Sequence, residues 1–177
     1  FKKPYQIWQT SADLMIVPAN SVLSLPDRWL HKMSRGHIQE ELDAILRAKK
    51  VHIGQLYQTS NGGDYPDGVQ ARRLLHAVLA AETWVSNAHT ITQMTPKCLF
   101  AADAMGAKTV VMTPFDCGTV DIDMAARAQL TAIRKFLYSN RIDSVERLYI
   151  VMSDKLSHDA YMNAYQEIFY GLTESEK

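Results

Sequence analysis

The hydrophobic and polar positions of residues 108–138 predict a strand, a loop and a helix in direct succession. Residues 109–112 form a short apolar run rich in β-branched side chains, which is typical of a strand buried on both faces of a parallel sheet. Backbone N–H groups and the helix dipole converge where such a strand leads into a helix. We therefore predict that residues 113–123 form one wall of a binding site. The helix after them carries an apolar stripe of Ala126, Leu130, Ile133 and Leu137.

Short apolar or alternating runs elsewhere in the chain predict the remaining strands. The strand at residues 13–17 is expected to be interior, and the turn Pro18-Ala19-Asn20-Ser21 ends it at its carboxyl end. That turn is a second loop of the kind that binds ligands. On propensity, residues 71–84 could equally form a helix instead of a strand. The predicted strands are residues 5–10, 13–17, 51–59, 74–79, 109–112 and 147–152.

Helical periodicity predicts the elements between the strands. Residues 26–50 are expected to be helical, with a division at Arg35-Gly36. A helix is expected from Pro96 to about Met105, with Thr95 as its cap, although it could begin a turn or two earlier. Residues 157–159 are expected to cap the last helix. Alternating strands and helices in this order predict a single three-layer α/β/α domain over residues 1–177.

Composition narrows the classes of protein to which the chain can belong. Nineteen Lys and Arg balance 19 Asp and Glu, so the basic excess of a nucleic-acid-binding protein is missing. Two cysteines are too few for a disulfide framework and favour a reducing, cytoplasmic location. No apolar run reaches the length of a membrane span. The first residue is not methionine, so we expect that a further domain or a membrane segment can precede residue 1.

The chemistry-bearing residues do not form a familiar catalytic motif. The six histidines have no metal-ligand spacing, and neither a phosphate-binding loop nor a dinucleotide fingerprint is present. We predict no metal and no cofactor. Cys117 is a reactive thiol if the helix after it lowers its pKa, or else an inert small side chain.

The order and spacing of several motifs resemble those of the macro domain, an α/β module that binds ADP-ribose and its derivatives. The segment Asp13-Leu14-Met15-Ile16-Val17-Pro18-Ala19-Asn20 is similar to the family's Asp-Ala-Ile-Val-Asn-Ala-Ala-Asn stretch. The resemblance extends from about residue 5 to residue 169. Its other parts are Gly54 with Leu74-Leu75-His76-Ala77-Val78, Lys108-Thr109-Val110-Val111-Met112-Thr113-Pro114 with Ala125-Ala126-Arg127, and residues 145–151 with Tyr161 and Tyr165.

This resemblance implies a fold and a set of ligand-binding residues. The fold is a central mixed, mostly parallel sheet between two helical layers. Asn20 matches the asparagine beside the distal ribose, which in hydrolytic members helps to position water; the alternative is an asparagine that ends a strand. The amides of Gly118, Thr119 and Val120 are expected to face the phosphates or ribose. The predicted ligand-binding residues are Gln6, Ala19, Asn20, Phe115, Cys117, Gly118, Thr119 and Val120.

The sequence departs from the family where the family binds phosphate. The first loop of the family is a run of glycines, whereas residues 21–28 contain none. The residue expected to recognise adenine is a carboxylate, and Gln6 stands in its place. The second loop keeps one glycine, Gly118.

Three functions fit these observations. The first is binding of ADP-ribose or a related NAD-derived nucleotide through residues 18–28 and 113–122, as the sensor of a larger protein. By analogy with sensing macro domains, that protein could be a membrane-tethered antiphage effector. The second is an ADP-ribosyl hydrolase with Asn20 as its catalytic residue. The third is a scaffold that has lost its ligand, its pocket filled by Trp29, Leu25 or Phe115.

Overall fold

The computed structural model describes residues 4–116, 120–139 and 141–171, and these form a five-stranded sheet with helices on both faces. The strand order is β2-β3-β1-β4-β5. Strand β1 pairs in parallel with β3 and β4, β4 pairs in parallel with β5, and only β2 is antiparallel, against β3. The predicted mixed, mostly parallel sheet is therefore confirmed. The strands are β1 (Leu14–Asn20), β2 (Leu56–Ser60), β3 (Arg73–Ala80), β4 (Thr109–Met112) and β5 (Arg147–Ile150).

Helices cover the sheet on each side because the central strands bury both faces. Within β1, Leu14 and Ile16 point into one core, and Met15 and Val17 point into the other. Helices α4 (Ala88–Ala104), α5 (Ile122–Ser139) and α6 (Lys155–Tyr170) enclose the first core. Helices α1 (Pro4–Trp8), α2 (Arg28–Met33) and α3 (His37–Ala48) enclose the second. The three-layer prediction is confirmed, as is the division of residues 26–50 into two helices.

Asp13 joins the two central strands at the edge of the sheet where they begin. Its Oδ2 accepts the backbone N–H groups of Lys108 and Thr109, each at 3.0 Å. The Thr109 N–H, more than any other group, holds the pKa of this carboxyl below its usual range. A carboxylate at this position aligns β1 with β4, so their carboxyl ends meet at the opposite edge.

Two local predictions were wrong, the strand at residues 5–10 and the Thr95 cap. Residues 5–10 begin with helix α1, because this turn buries the adjacent Ile7 and Trp8 together against the second core. Helix α4 begins at Ala88, about two turns before Pro96, which matches the earlier start that the sequence allowed. Its N-cap is Asn87, whose side chain accepts the N–H of Thr90. Proline therefore lies inside this helix.

The boundaries of two other elements also differ from the predictions. Helix α6 is capped by Asp154, three residues before the predicted Ser157, and the Asp154 side chain accepts the N–H of Ser157 at 2.7 Å. Strand β2 begins at Leu56 instead of residue 51. Among the helices of the described residues, none combines the length and apolarity that a bilayer crossing requires.

Candidate functional site

A cleft of about 350 Å³ lies at the edge of the sheet where β1, β4 and β5 end. Ligands bind at this edge in open α/β sheets because the connecting loops diverge there. The walls come from α1, from the loops that follow β1, β3, β4 and β5, and from the start of α6. Its lining residues are Ile7, Trp8, Pro18, Pro26, Asp27, Trp84, Thr113, Pro114, Asp116, Met152, Ser153, Asp154 and Ser157.

One wall is fixed by a hydrogen bond between Trp8 and Asp27. The indole Nε1 of Trp8 donates to Asp27 Oδ2 at 3.1 Å, and Asp27 Oδ1 accepts the N–H of Leu30 at 2.9 Å. A single carboxylate thus caps α2 and anchors α1. The two short helices are thereby held together beside the cleft.

The loop after β1 is held by Asn20, whose side chain is only 1% exposed. Its Oδ1 accepts the backbone N–H of Ser24 at 3.0 Å, and its Nδ2 donates to Ser24 Oγ at 2.7 Å and to the Glu82 carbonyl at 3.1 Å. Leu23 within this loop has a φ of +49° and is fully buried. A leucine in the left-handed region fills the core beneath the loop, where a glycine would leave space.

Trp84 is presented to the cleft by a tight turn after β3. The φ angle of Trp84 is +61°. The Trp84 N–H donates to the Ala81 carbonyl at 2.9 Å, and the Ala81 N–H donates to the Val85 carbonyl at 3.1 Å. Left-handed backbone is unfavourable for a tryptophan, and such strain is concentrated at ligand-binding positions. The half-buried indole supplies an aromatic surface in the cleft.

A buried network of hydrogen bonds holds the loop after β4 in place. The N–H of Phe115 donates to Gln129 Oε1 at 2.9 Å and to the Tyr161 hydroxyl oxygen at 3.2 Å. The Tyr161 hydroxyl itself donates to Gln129 Oε1, and Gln129 Nε2 donates to the Thr113 carbonyl at 3.4 Å. Helices α5 and α6 thus fix the backbone that carries Thr113 and Asp116 into the cleft.

A serine lies between two carboxylates on the α6 side of the cleft. Ser157 Oγ is 3.0 Å from Asp116 Oδ2 and 2.7 Å from Asp154 Oδ2. Burial, together with the nearby Asp154 charge, raises the pKa of Asp116, while the Ser157 bond opposes that rise.

Among the described residues that line the cleft, none has a positively charged side chain. Its titratable lining residues are Asp27, Asp116 and Asp154, and the lining residues include no Lys, Arg or His. Within the described ranges no group of three His, Cys, Asp or Glu side chains could hold a metal ion. The electrostatic field of these residues therefore favours hydrogen-bond donors and disfavours anions.

The described members of the predicted ligand residues lie beside this cleft and do not line it. Gln6 precedes the lining residue Ile7, and Ala19 and Asn20 are buried after the lining residue Pro18. The Phe115 side chain is fully buried in the first core, and Val120 packs partly against it. The predicted Cys117, Gly118 and Thr119 lie outside the described residues. Contact of these residues with a ligand stays a prediction.

Sequence reasoning missed most of the residues that line the cleft. Trp84 and Asp154 follow predicted strands, so their position just after the carboxyl end of a strand could have identified them as lining residues. Trp8 was assigned to a strand, and the helix that turns it into the site had no capping signal. Of the proposed pocket-filling residues, Phe115 is core and neither Trp29 nor Leu25 lines the cleft, which is open.

No model of a protein family matches the chain, and no curated protein matches it in sequence. Solved structures match almost the whole fold. The Oceanobacillus iheyensis macrodomain with ADP has a TM-score of 0.74 at 14% identity, over 92% of this chain and 87% of that one. A glycine-to-valine mutant of this macrodomain with ADPR has a TM-score of 0.73 at 16% identity, over 95% and 91%.

A macrodomain from a different organism gives the same result. The Trypanosoma brucei macrodomain in complex with ADP-ribose has a TM-score of 0.70 at 16% identity, over 91% of this chain and 66% of that chain. The chain therefore has the macrodomain fold, with a sequence that has diverged far from these structures.

Proposed function

We propose that this domain binds ADP-ribose or a related NAD-derived nucleotide in the cleft at the carboxyl ends of β1, β4 and β5. The observation that supports this most is the cleft itself, which is open at this edge of the sheet. Its volume of about 350 Å³ falls within the range of small-molecule sites. Three structures of two macrodomains with the same fold contain ADP-ribose or ADP.

Trp84 stacks on the adenine or on a ribose of the nucleotide in this proposal. The turn that carries it adopts a backbone unfavourable for tryptophan, and the indole lines the cleft. Stacking of a base on an aromatic side chain contributes about 1–3 kcal/mol. Loss of the indole therefore weakens binding by about tenfold or more.

Binding is favoured over hydrolysis by the position of Asn20, the residue that a hydrolase of this kind would use. Its side chain is 1% exposed and is occupied by Ser24 and Glu82. A catalytic residue must reach the reacting atoms or a water beside them. Asn20 instead shapes the loop after β1.

The test is calorimetric titration of the purified domain with ADP-ribose, beside NAD, ADP and AMP. We expect micromolar binding of ADP-ribose, about −8 kcal/mol. Trp84→Ala is expected to weaken it. Trp29→Ala is the matched control, because Trp29 lies outside the cleft between the cations of Arg28 and Lys32.

Each outcome of this titration has a definite meaning. Weaker binding by Trp84→Ala but not by Trp29→Ala supports the cleft as the site. Equal affinity for all three proteins would place the ligand elsewhere, and no heat from any nucleotide would reject the proposed function. Release of free ADP-ribose from an ADP-ribosylated protein or from O-acetyl-ADP-ribose, incubated in parallel with the domain, would favour the hydrolase.

The proposal includes a sensing role in the cytoplasm, as part of a longer, membrane-tethered protein of antiphage defence. Nucleotide binding would order the loops around the cleft, and that change would be passed to the effector segment. Growth of phage-infected cells that carry the full natural protein, with and without Trp84→Ala, tests this role. Protection that survives the substitution would contradict it.

A further inference from the structure

The arrangement of Asp116, Ser157 and Asp154 contains one contact more than the serine proton can satisfy. A hydroxyl donates one hydrogen bond, yet Ser157 Oγ lies 3.0 Å from Asp116 Oδ2 and 2.7 Å from Asp154 Oδ2. The two carboxylates therefore compete for one serine proton. The raised pKa of Asp116 is consistent with this shortage of donors. A ligand hydroxyl group that donates to one of the carboxylates relieves the shortage.

A second and independent observation comes from Thr113 in the same cleft. This residue is 7% exposed, and its Oγ1 is the only buried hydroxyl without a hydrogen-bond partner in the described part of the chain. Unsatisfied buried polar groups are uncommon and mark strain or a missing partner. Thr113 is carried on the loop that also carries Asp116.

The chemistry of these groups selects the kind of ligand group that fits. Carboxylates repel phosphates, and no cationic residue among those described lines the cleft to offset this repulsion. Neutral hydroxyl groups both donate to carboxylates and accept from serine or threonine, and acidic residues commonly bind the ribose hydroxyls of dinucleotides in this way.

We infer that Asp116 and Asp154, bridged by Ser157, bind the vicinal hydroxyl groups of a ribose and make the cleft specific for ribose over deoxyribose. The inference rests on the proposed function in that ADP-ribose supplies such a ribose at each end. The phosphates then lie away from Asp116 and Asp154.

The experiment uses two pairs of probes that differ by one hydroxyl group. ADP and 2′-deoxy-ADP test the adenosine ribose, and ribose 5-phosphate and 2-deoxyribose 5-phosphate test the distal ribose. We expect one pair to differ in affinity by about tenfold, the effect of one charge-assisted hydrogen bond. The pair that differs identifies which ribose is bound.

Variants then assign the discrimination to the carboxylates. Asp116→Asn and Asp154→Asn keep the side-chain shape, and asparagine retains the N-cap of α6. Each is expected to weaken ADP-ribose binding about tenfold and to reduce the difference within the discriminating pair. The control Asp123→Asn removes the same charge from an exposed position on α5, outside the cleft. Thermal unfolding confirms that each variant is folded.

The outcomes separate this inference from the proposed function. Stronger ADP-ribose binding by Asp116→Asn would place the phosphates beside the carboxylates and overturn the inference. Unchanged binding by this variant would also overturn it. Neither result would contradict the proposed function. In another outcome, the wild-type domain fails to bind ADP-ribose and yet binds the two probes of one ribose pair with different affinities, a difference that Asp116→Asn removes. That result would overturn only the proposed function. Binding of no ribose probe at all would overturn both.

Discussion

Two hydrogen bonds join Asn20 and Ser24: the Ser24 N–H donates to Asn20 Oδ1 at 3.0 Å, and Asn20 Nδ2 donates to Ser24 Oγ at 2.7 Å. The same Nδ2 reaches the Glu82 carbonyl at 3.1 Å, so one buried side chain connects the loops after β1 and β3. These loops carry the lining residues Pro26 and Trp84.

Replacement of Asn20 by alanine is expected to lower the free energy of unfolding by about 1–3 kcal/mol, because it leaves buried backbone groups without partners. Ser24→Ala, which removes one hydroxyl contact, is expected to cost about 1 kcal/mol. Urea unfolding measures both. If the two variants are equally stable, Asn20 is not the anchor that the structure indicates.

Asp27 is expected to serve two helices through its two carboxylate oxygens. Asp27→Ser keeps a side-chain cap for α2 and loses the Trp8 partner, whereas Asp27→Ala loses both. We expect about 1 kcal/mol of destabilisation for serine and about 2 kcal/mol for alanine, measured by urea unfolding. Trp8→Phe also lacks the N–H, but the smaller ring leaves a cavity at this buried position, so it should cost more than the serine variant.

The network of Gln129 and Tyr161 is expected to set the position of the loop after β4. Gln129→Leu leaves the Phe115 N–H with only the Tyr161 oxygen, and should destabilise the protein by about 2 kcal/mol. Tyr161→Phe removes a single hydroxyl and should cost about 1 kcal/mol. Both are expected to weaken ADP-ribose binding, which calorimetry measures. Tyr138→Phe, on a side chain that is 76% exposed, should change neither quantity.

His76 is expected to make the domain sensitive to acid. Complete burial lowers its pKa from 6.5 to about 4. The Thr59 hydroxyl donates to the Ser60 carbonyl at 3.0 Å, so its oxygen accepts the His76 Nε2–H at 2.9 Å. Nδ1 has no partner in the described structure, and protonation there would bury an unpaired N–H.

The direction of the pH effect follows from these values. Above pH 6.5 the histidine is neutral in both the folded and the unfolded state, and its full contribution to stability is present. As the pH falls from 6.5 toward 4, the unfolded chain gains a proton that the folded chain does not. About 3 kcal/mol is lost over this range.

Urea unfolding at several pH values tests this prediction with a matched pair of variants. His76→Leu should lose less stability than the wild type between pH 7 and pH 4.5, whatever its stability at pH 7. The control His89→Leu, at an exposed position on α4, should follow the wild type. Parallel curves for all three proteins would show that His76 does not titrate as its burial implies.

Local patterns were sufficient for the central strands. Residues 110–112 and 14–17 are apolar runs of the length that is typical of an interior strand, and the structure places β4 and β1 there. The turn residues after them located the edge of the sheet where the cleft lies. The N-caps of the helices were harder to predict. Asn87 and Asp154 each cap a helix by accepting a backbone N–H, and many other polar residues in the sequence could do the same.

The sequence by itself determined the three-layer α/β class and the edge at which a ligand is expected to bind, because hydrophobic periodicity and the alternation of strands with helices are local properties of the chain. The mixed sheet was predicted from the resemblance to the macro domain. Tertiary packing decided which side chains line the cleft. At the ends of β1 and β4, Asn20 and Phe115 turn inward while Pro18 and Asp116 line the cleft. That choice depends on Glu82, Gln129 and Tyr161, which are distant from those strand ends along the chain, so no local pattern contains it.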